Sequence, residues 1–185
     1  MHRGHFTTRA LRYRATTLAA LMLAVHSPAR AQKPSSACGL LQVAEIESAV
    51  GGKAKTKLTG ENSTVPGMSL DTCSIELTAP GSDGIHKVWI NIVKDLPMDG
   101  GQAITVRNGG TAREQQWTTA GARLEQKTVG TAVCITYGRP QTVGHTICSI
   151  PRGKGYLEID VTGDVKALVP IEAVSSLAQK AFSRL

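Results

Sequence analysis

The sequence predicts an α+β domain, in which a single antiparallel sheet carries N- and C-terminal helices packed on one face and is stapled by disulfides. Three observations predict this class. Short segments in the middle of the chain alternate apolar and polar residues, as half-buried strands do. Apolar residues recur at helical spacing near both ends, and four cysteines all follow the first 31 residues.

Length, composition and charge limit the classes of protein to which this chain can belong. A chain of 185 residues suits one domain, and a hydrophobic content of 41% excludes a disordered or collagen-like protein. The net charge of +7 looks like a nucleic-acid signal, but five of the 21 basic residues lie among the first 31, where there is no acid. The remainder is nearly neutral, with 16 basic and 14 acidic residues. We therefore expect no nucleic-acid partner.

The first 31 residues have the pattern of a secretory signal peptide. Arginines precede a mostly apolar run over residues 16–25, and residues 27–31 (Ser-Pro-Ala-Arg-Ala) end in a small-x-small cleavage site. The run has about half of the roughly 20 apolar residues that cross a bilayer. We predict cleavage after Ala31, a short polar linker over 32–37, a single α+β domain over 38–185 and no transmembrane segment after cleavage.

A lipid anchor on Cys38 is a narrower alternative for the start of the mature chain. A lipobox places small and apolar residues directly before its cysteine, whereas residues 32–37 are mostly polar and separate Cys38 from the apolar run. The sequence therefore favours a periplasmic or secreted protein over a lipoprotein.

The first helix is predicted over 39–50. Leu40, Ile46 and Val50 belong to one apolar stripe, and two glycines follow at 51–52. Residues 60–71 are polar and turn-forming, which predicts a loop. Alternation then predicts strands over 72–78 and 86–93, joined by a short turn into an antiparallel hairpin.

The second half is predicted to hold one more helix before the sheet is completed. Residues 95–110 contain Pro97 and two glycine pairs, which favour a loop or a broken helix. A capping box over 111–114 begins a helix that Gly121 could end. Residues 155–161 alternate as a strand, and apolar residues repeat at helical spacing from Pro170 to the last residue, which predicts the closing helix.

The four cysteines predict two disulfides in an exported chain. Segments 131–137 and 145–150 form a hairpin if Tyr137 lies opposite His145, and this register also places Cys134 opposite Cys148 and Ile135 opposite Ile147. The remaining pair is Cys38 with Cys73. The alternative is a zinc site made by Cys134, His145 and Cys148, which lacks a fourth ligand in the sequence.

A candidate ligand surface comprises two aromatic and two basic residues. Trp89 and Tyr156 lie on the polar faces of their strands, and an aromatic exposed there would indicate a binding surface. Arg152 and Lys154, in an Arg-Gly-Lys-Gly run, could hold an anion together with backbone N–H groups. The alternatives are that a helix covers both aromatics and that the basic run is only a turn.

No catalytic or cofactor motif occurs in the sequence, so we expect neither an enzyme nor a cofactor. There is no Gly-x-Ser-x-Gly elbow, dinucleotide-binding fingerprint or Walker sequence. A small hydrolase could still assemble in space from Glu158, Asp160, His145 and Arg139. Glu158 and Asp160 share the outward face of a strand, where we expect solvent. We also expect His86 to be solvated.

The mature chain resembles a group of small secreted bacterial envelope domains of unknown function. That group includes actinobacterial lipoproteins and is similar to the extracellular sensor domain of some mycobacterial serine/threonine kinases. The resemblance rests on residues 38–41 (Cys-Gly-Leu-Leu), Glu45-Ile46, Ala49, Gly51, Cys73, residues 153–159 and the closing helix. It implies a fold, a compartment and a binding or sensing role, and it supplies no catalytic residues.

Together these observations predict an exported, non-enzymatic binding or sensing domain of the bacterial cell envelope. Its partner would be a small molecule, an envelope component or a protein. The alternative is a structural or inhibitor-like protein that presents the disulfide-stapled loop 138–144 to a protein partner.

Overall fold

The computed structural model describes residue 34 and residues 36–79, 84–108, 123–138, 143–164, 166 and 168–185. Every described residue lies in one compact unit, residues 32–185. The predicted signal peptide, the capping-box helix over 111–121 and residues 139–142 of the stapled loop fall outside the described residues. Within the described part, no helix is long and apolar enough to cross a membrane.

Seven strands form one fully antiparallel sheet in the order β1-β2-β3-β7-β6-β5-β4. Two runs of consecutive hairpins meet in the middle, where β3 pairs with β7. The predicted fold class is therefore confirmed. The strands are β1 Thr59–Val65, β2 Met68–Thr78, β3 Ile85–Lys94, β4 Arg123–Val129, β5 Ala132–Gly138, β6 Val143–Pro151 and β7 Tyr156–Asp164.

Three α-helices are described: α1 Val43–Val50, α2 Gly100–Asn108 and α3 Ile171–Phe182. A short 3-10 helix, Ala37–Gly39, precedes α1 and includes the last residue of the predicted linker. The N- and C-terminal helices α1 and α3 pack on the same face of the sheet, as predicted, and we call this the inner face. Helix α2 lies on the opposite, outer face.

The hydrophobic core fills the space between the inner face and the two helices. Alternation along the strands turns every second side chain inward. Most of the buried inward side chains of β2, β3, β6 and β7 are hydrophobic, and His86 and Thr146 are polar exceptions. Fully or nearly fully buried core residues include Ile75, Leu77, Val88, Ile90, Leu157, Ile159 and Val161 from the strands, and Leu40, Ile46, Val174, Leu177 and Ala178 from the helical segments.

A charged contact ties α1 to the end of α3. Glu45 forms a capping box with Gln42, whose backbone N–H donates to Oε2 at 2.9 Å. The guanidinium of Arg184 donates to both carboxylate oxygens of Glu45, at 2.7 and 2.8 Å. Arg184, the backbone of Gln42 and Lys180 together hold the pKa of the Glu45 carboxyl well below its usual value.

Both predicted disulfides are present, Cys38–Cys73 and Cys134–Cys148. The hairpin of β5 and β6 has the predicted register, with Tyr137 opposite His145 and Ile135 opposite Ile147. The alternative zinc site is wrong because Cys134 and Cys148 are bonded to each other. These two disulfides use all four cysteines of the chain.

The loop predicted over residues 60–71 is wrong, because these residues form most of β1 and the start of β2. The two strands pair in register from Thr59 opposite Ser74 to Val65 opposite Met68. Every residue of β1 is exposed, so the strand has no buried apolar face that alternation could reveal. The strand forms because its backbone pairs with β2, and this pairing does not depend on apolar side chains.

Candidate functional site

Helix α2 covers part of the outer face, and a glycine allows it to begin there. A Cβ on Gly100 would lie 1.8 Å from the carbonyl oxygen of Gly155, in the turn between β6 and β7. The N–H of Gly100 donates to the Gly153 carbonyl at 2.8 Å. The glycines at 100–101 favour a loop or a broken helix in the sequence, whereas the structure has a helix that begins at Gly100 and lies in close contact with the sheet there.

Beneath α2, three polar side chains bind the buried carboxylate of Glu158. Asn91, Glu158 and Ser149 are cross-strand neighbours on β3, β7 and β6. The Asn91 amide donates to Glu158 Oε1 at 3.1 Å, and the Ser149 hydroxyl donates to Oε2 at 3.1 Å. Arg107, from α2, donates to both oxygens, with nitrogen–oxygen distances of 2.6 and 2.9 Å. We call these four residues the Glu158 cluster.

The solvent-exposed position predicted for Glu158 is wrong, since the residue is only 2% exposed. Burial raises the pKa of the Glu158 carboxyl, while Arg107, Asn91 and Ser149 act to lower it. Each carboxylate oxygen already accepts two hydrogen bonds, so the ionised group is well satisfied. This arrangement suits a structural carboxylate better than an acid or base that must exchange protons with a substrate.

His145 and Asp160 lie beside the Glu158 cluster on the same face. His145 stacks on Tyr137 with ring centroids 4.7 Å apart, which confirms the predicted cross-strand pair. Its Nδ1 lies 3.1 Å from Asp160 Oδ1, and the Asp160 side chain is 15% exposed. Of the four residues of the hydrolase hypothesis, His145 and Asp160 are in contact, Glu158 is bound by Arg107, and Arg139 lies outside the described residues.

The expectation that His86 is solvated is also wrong, because its side chain lies in the core and is 1% exposed. A Cβ on Gly163 would lie 2.3 Å from His86 Nδ1, so the ring fits only because residue 163 is glycine. Burial lowers the pKa of His86. The sequence held a signal for this position, since His86 has the same parity along β3 as the inward Val88 and Ile90.

A pocket of about 230 Å³ lies where β3 ends and the turn between β6 and β7 begins. Three cationic residues and one carboxylate line it, beside an aromatic ring and an apolar floor. We call it the basic pocket, and its lining residues are Ile92, Val93, Lys94, Asp95, Arg152, Lys154, Tyr156, Leu157 and Leu185.

Backbone contacts fix the turn that carries Arg152 and Lys154. The N–H of Arg152 donates to the Gly155 carbonyl at 2.9 Å, and the N–H of Leu96 donates to the Lys154 carbonyl at 3.0 Å. Gly153 has a φ of 54°, which favours glycine. A Cβ on Gly155 would lie 2.0 Å from the Val93 carbonyl oxygen. Gly155 therefore allows the turn that carries the two cations to pack against the end of β3.

Three of the four residues of the predicted ligand surface, Arg152, Lys154 and Tyr156, line the basic pocket. Tyr156 is half-buried, and burial and the nearby Glu158 carboxylate raise the pKa of its phenol. Trp89 lies elsewhere: Tyr156 pairs with Val93, four residues further along β3 and so roughly 13 Å away. Lys87 Nζ lies 4.2 Å from the Trp89 ring centroid.

Lys94 and Asp95 complete the basic pocket, and sequence reasoning missed them. Lys94 is the last residue of β3, and Asp95 follows with a φ of 60°, an uncommon value for a residue other than glycine. Within the described residues, no group of three or more His, Cys, Asp or Glu side chains could hold a metal ion.

No protein-family model matches this sequence, and no curated protein matches it. The functional proposals below therefore rest on the residues of the chain and on their geometry.

Proposed function

We propose that this chain is an exported, non-enzymatic binding or sensing domain of the bacterial cell envelope that holds an acidic group of its ligand in the basic pocket. The signal-peptide pattern of residues 1–31 supports export to the periplasm or beyond. The two disulfides are typical of proteins that fold in an oxidising compartment. The resemblance of residues 38–41 and 153–159 to secreted envelope domains supports the binding role.

One observation carries the proposal: two cations singled out in the sequence, Arg152 and Lys154, meet a third, Lys94, around one concavity. Asp95 is the one acidic side chain among the described residues that line it. A concave site with an excess of positive charge attracts anions and holds them more strongly than a flat surface does. The ligand group is therefore expected to be a carboxylate or phosphate.

The lining of the basic pocket also indicates what the rest of the ligand is like. Arg152 donates to a main-chain oxygen of Leu185, the last residue of the sequence and another residue of the pocket lining, at 3.3 Å. A guanidinium can bind a carboxylate or phosphate with two parallel hydrogen bonds. The half-buried ring of Tyr156 would contact a ring or short aliphatic part next to the acidic group.

A non-enzymatic role is supported by the state of the side chains that would do chemistry. Both disulfides together take up all four thiols, so no thiolate nucleophile remains. The buried carboxylate of Glu158 is committed to Arg107, Asn91 and Ser149. The groups that converge on the basic pocket are cations, which bind and orient anions.

The proposal is tested by NMR titration with two probes, inorganic phosphate and citrate, at low and at moderate ionic strength. We expect saturable shifts of the backbone amides of residues 94–96 and 152–156, with affinity that falls as salt is added. The double variant Arg152→Ala/Lys154→Ala should weaken binding at least tenfold.

The matched control is Lys55→Ala/Lys57→Ala, which removes the same charge from exposed residues outside the pocket. This variant should bind both probes as the unaltered protein does. Equal losses in the two double variants would show a nonspecific charge effect and would overturn the assignment of the pocket. Absence of any saturable response would do the same.

A further inference from the structure

A second, smaller pocket lies between the end of α2 and the outer face of the sheet, apart from the basic pocket. It has a volume of about 90 Å³ and is lined by Arg107, Asn108, Ile135, Tyr137 and Ile147. At about 30 Å³ for each water in the liquid, this is room for roughly three water molecules or a group of about four heavy atoms. We call it the Asn108 pocket.

Asn108 gives this pocket an unused hydrogen-bond donor. The residue is 6% exposed, and its Nδ2 is buried without a hydrogen-bond partner. Such atoms are rare in folded proteins, because a buried donor that has lost water and gained no acceptor destabilises the fold. Only one other side-chain atom, His86 Nδ1, is in this state among the described residues. Unlike His86, Asn108 lines a cavity that an acceptor could enter.

The other walls of the Asn108 pocket are apolar or already held in place. Ile135 and Ile147 are cross-strand neighbours and are 5% and 3% exposed. The Tyr137 ring stacks on His145, which fixes its plane. Among the described lining residues, the pocket therefore combines two buried isoleucines with the unpaired amide donor of Asn108, a composition typical of a small-ligand site.

Charge distinguishes this pocket from the basic pocket. The guanidinium of Arg107 is paired with Glu158 through two short contacts, so the pair brings no net charge to the cavity. An anion placed here would lose its water without gaining an uncompensated cation, which is unfavourable. Within the described lining, the one charged side chain is paired with Glu158, and this together with the Asn108 donor favours a neutral acceptor.

We propose that the Asn108 pocket binds a small uncharged carbonyl group, such as the acetyl or acetamido end of a larger ligand. The carbonyl oxygen accepts a hydrogen bond from Asn108 Nδ2, and the methyl group packs on Ile135 and Ile147. This site is independent of the proposed anion binding, because the two pockets have no described lining residue in common.

The test uses acetone and isobutene as probes, since they have the same shape and only acetone carries an acceptor oxygen. Both are titrated into the full protein while NMR follows the Asn108 side-chain amide and the methyl groups of Ile135 and Ile147. We expect saturable acetone binding in the millimolar range and binding of isobutene at least tenfold weaker.

The variant Asn108→Leu should lose at least tenfold in acetone affinity and should raise the melting temperature, because it removes an unpaired buried donor. The control Val106→Ala alters an exposed residue on the same helix and should leave acetone affinity unchanged. Should Asn108→Leu fail to fold, Ile147→Phe, which fills the cavity, must abolish acetone binding instead.

Three results would overturn the proposal. The first is equal affinity for acetone and isobutene, which would show a purely apolar cavity. The second is full acetone affinity in a folded Asn108→Leu or Ile147→Phe variant. The third is a pocket that keeps ordered water next to the Asn108 amide at every acetone concentration, which would show a hydration site only.

Discussion

Glu158 and Ile159 are neighbours in β7 and are almost equally buried, at 2% and 0% exposed, yet they face opposite layers of the molecule. Ile159 points to the inner face, where α1 and α3 cover a hydrophobic core. Glu158 points to the outer face, where α2 covers a carboxylate that Arg107 neutralises. One strand thus contributes to two kinds of buried layer.

The difference between the two layers lies in how specific their stabilisation is. Burial on the inner face is favourable in proportion to apolar area, and many apolar side chains satisfy it. Burial of Glu158 on the outer face requires donors from three other segments at hydrogen-bond distance. Substitutions in the inner layer should therefore destabilise the protein according to the side-chain volume that they remove. Substitutions in the outer layer should destabilise it according to which hydrogen-bond partner of Glu158 they remove.

The largest effect is expected from truncating the inner layer. Ile159→Ala removes a fully buried side chain, leaves a cavity and should cost about 4 kcal/mol of unfolding free energy. Urea denaturation measures this loss. Because the effect depends on volume, Ile159→Val should cost only about 1 kcal/mol. Similar losses for the two variants would contradict the description of this layer as close-packed.

A somewhat smaller effect is expected from removing one partner of the outer layer. Arg107→Ala leaves the buried Glu158 carboxylate without its cation and should cost about 3 kcal/mol at pH 7. The deficit should shrink as the pH falls towards 5, because burial without Arg107 raises the pKa of Glu158 and the group takes up a proton. Urea denaturation at several pH values measures both effects.

The matched double variant Arg107→Met/Glu158→Leu separates pairing from packing. It replaces the ion pair with apolar side chains of similar size, and such exchanges are often neutral or stabilising. We expect it to recover only part of the stability lost in Arg107→Ala, because Asn91 and Ser149 lose their acceptor when Glu158 is replaced. A double variant as unstable as the single one would show that α2 is held by other contacts of these residues.

The smallest effect concerns His86, a titratable group within the inner layer. Burial places its pKa in the folded protein below the value of about 6.5 in the unfolded chain. The neutral form is therefore favoured by folding, and stability is full above pH 6.5 and declines as the pH falls below it. Each unit of difference between the two pKa values is worth about 1.4 kcal/mol.

The expected result is a melting temperature that falls by a few degrees between pH 7.5 and pH 5.5, and a smaller fall in His86→Leu. Glu45 should not contribute in this range, because its pKa lies well below its usual value and it stays ionised. The same fall in both proteins would show that another group is responsible.

Much of the inner layer was predictable because hydrophobic periodicity is local. Alternation in β3 and β7 and the apolar stripe of α3 each identify buried residues without reference to the rest of the chain. The pairing of Cys134 with Cys148 followed from one hairpin register that also matched Ile135 with Ile147. The edge strand β1 was not predicted, because all of its residues are exposed and it has no apolar alternation.

The outer layer was not predictable, because its contacts join residues far apart in sequence. Nothing local to Glu158 indicates that Arg107, 51 residues earlier, lies above it. In the sequence, Gly100 favours a helix break and Gly155 a turn. Their contact with each other is evident only when α2 is placed on the sheet. Lys94 lies in the same pocket as Arg152 and Lys154 although it is far from them in sequence, so their proximity was not predictable either.

The fold class, the disulfides and the apolar faces of β3, β7 and α3 could be predicted from the sequence, since periodicity and spacing act over a few residues. The burial of Glu158, the three cations around one pocket and the unpaired amide of Asn108 among the described residues follow from the tertiary structure. These properties depend on where α2 and the turn between β6 and β7 meet the sheet. That placement is set by packing among several segments at once, and no single segment encodes it.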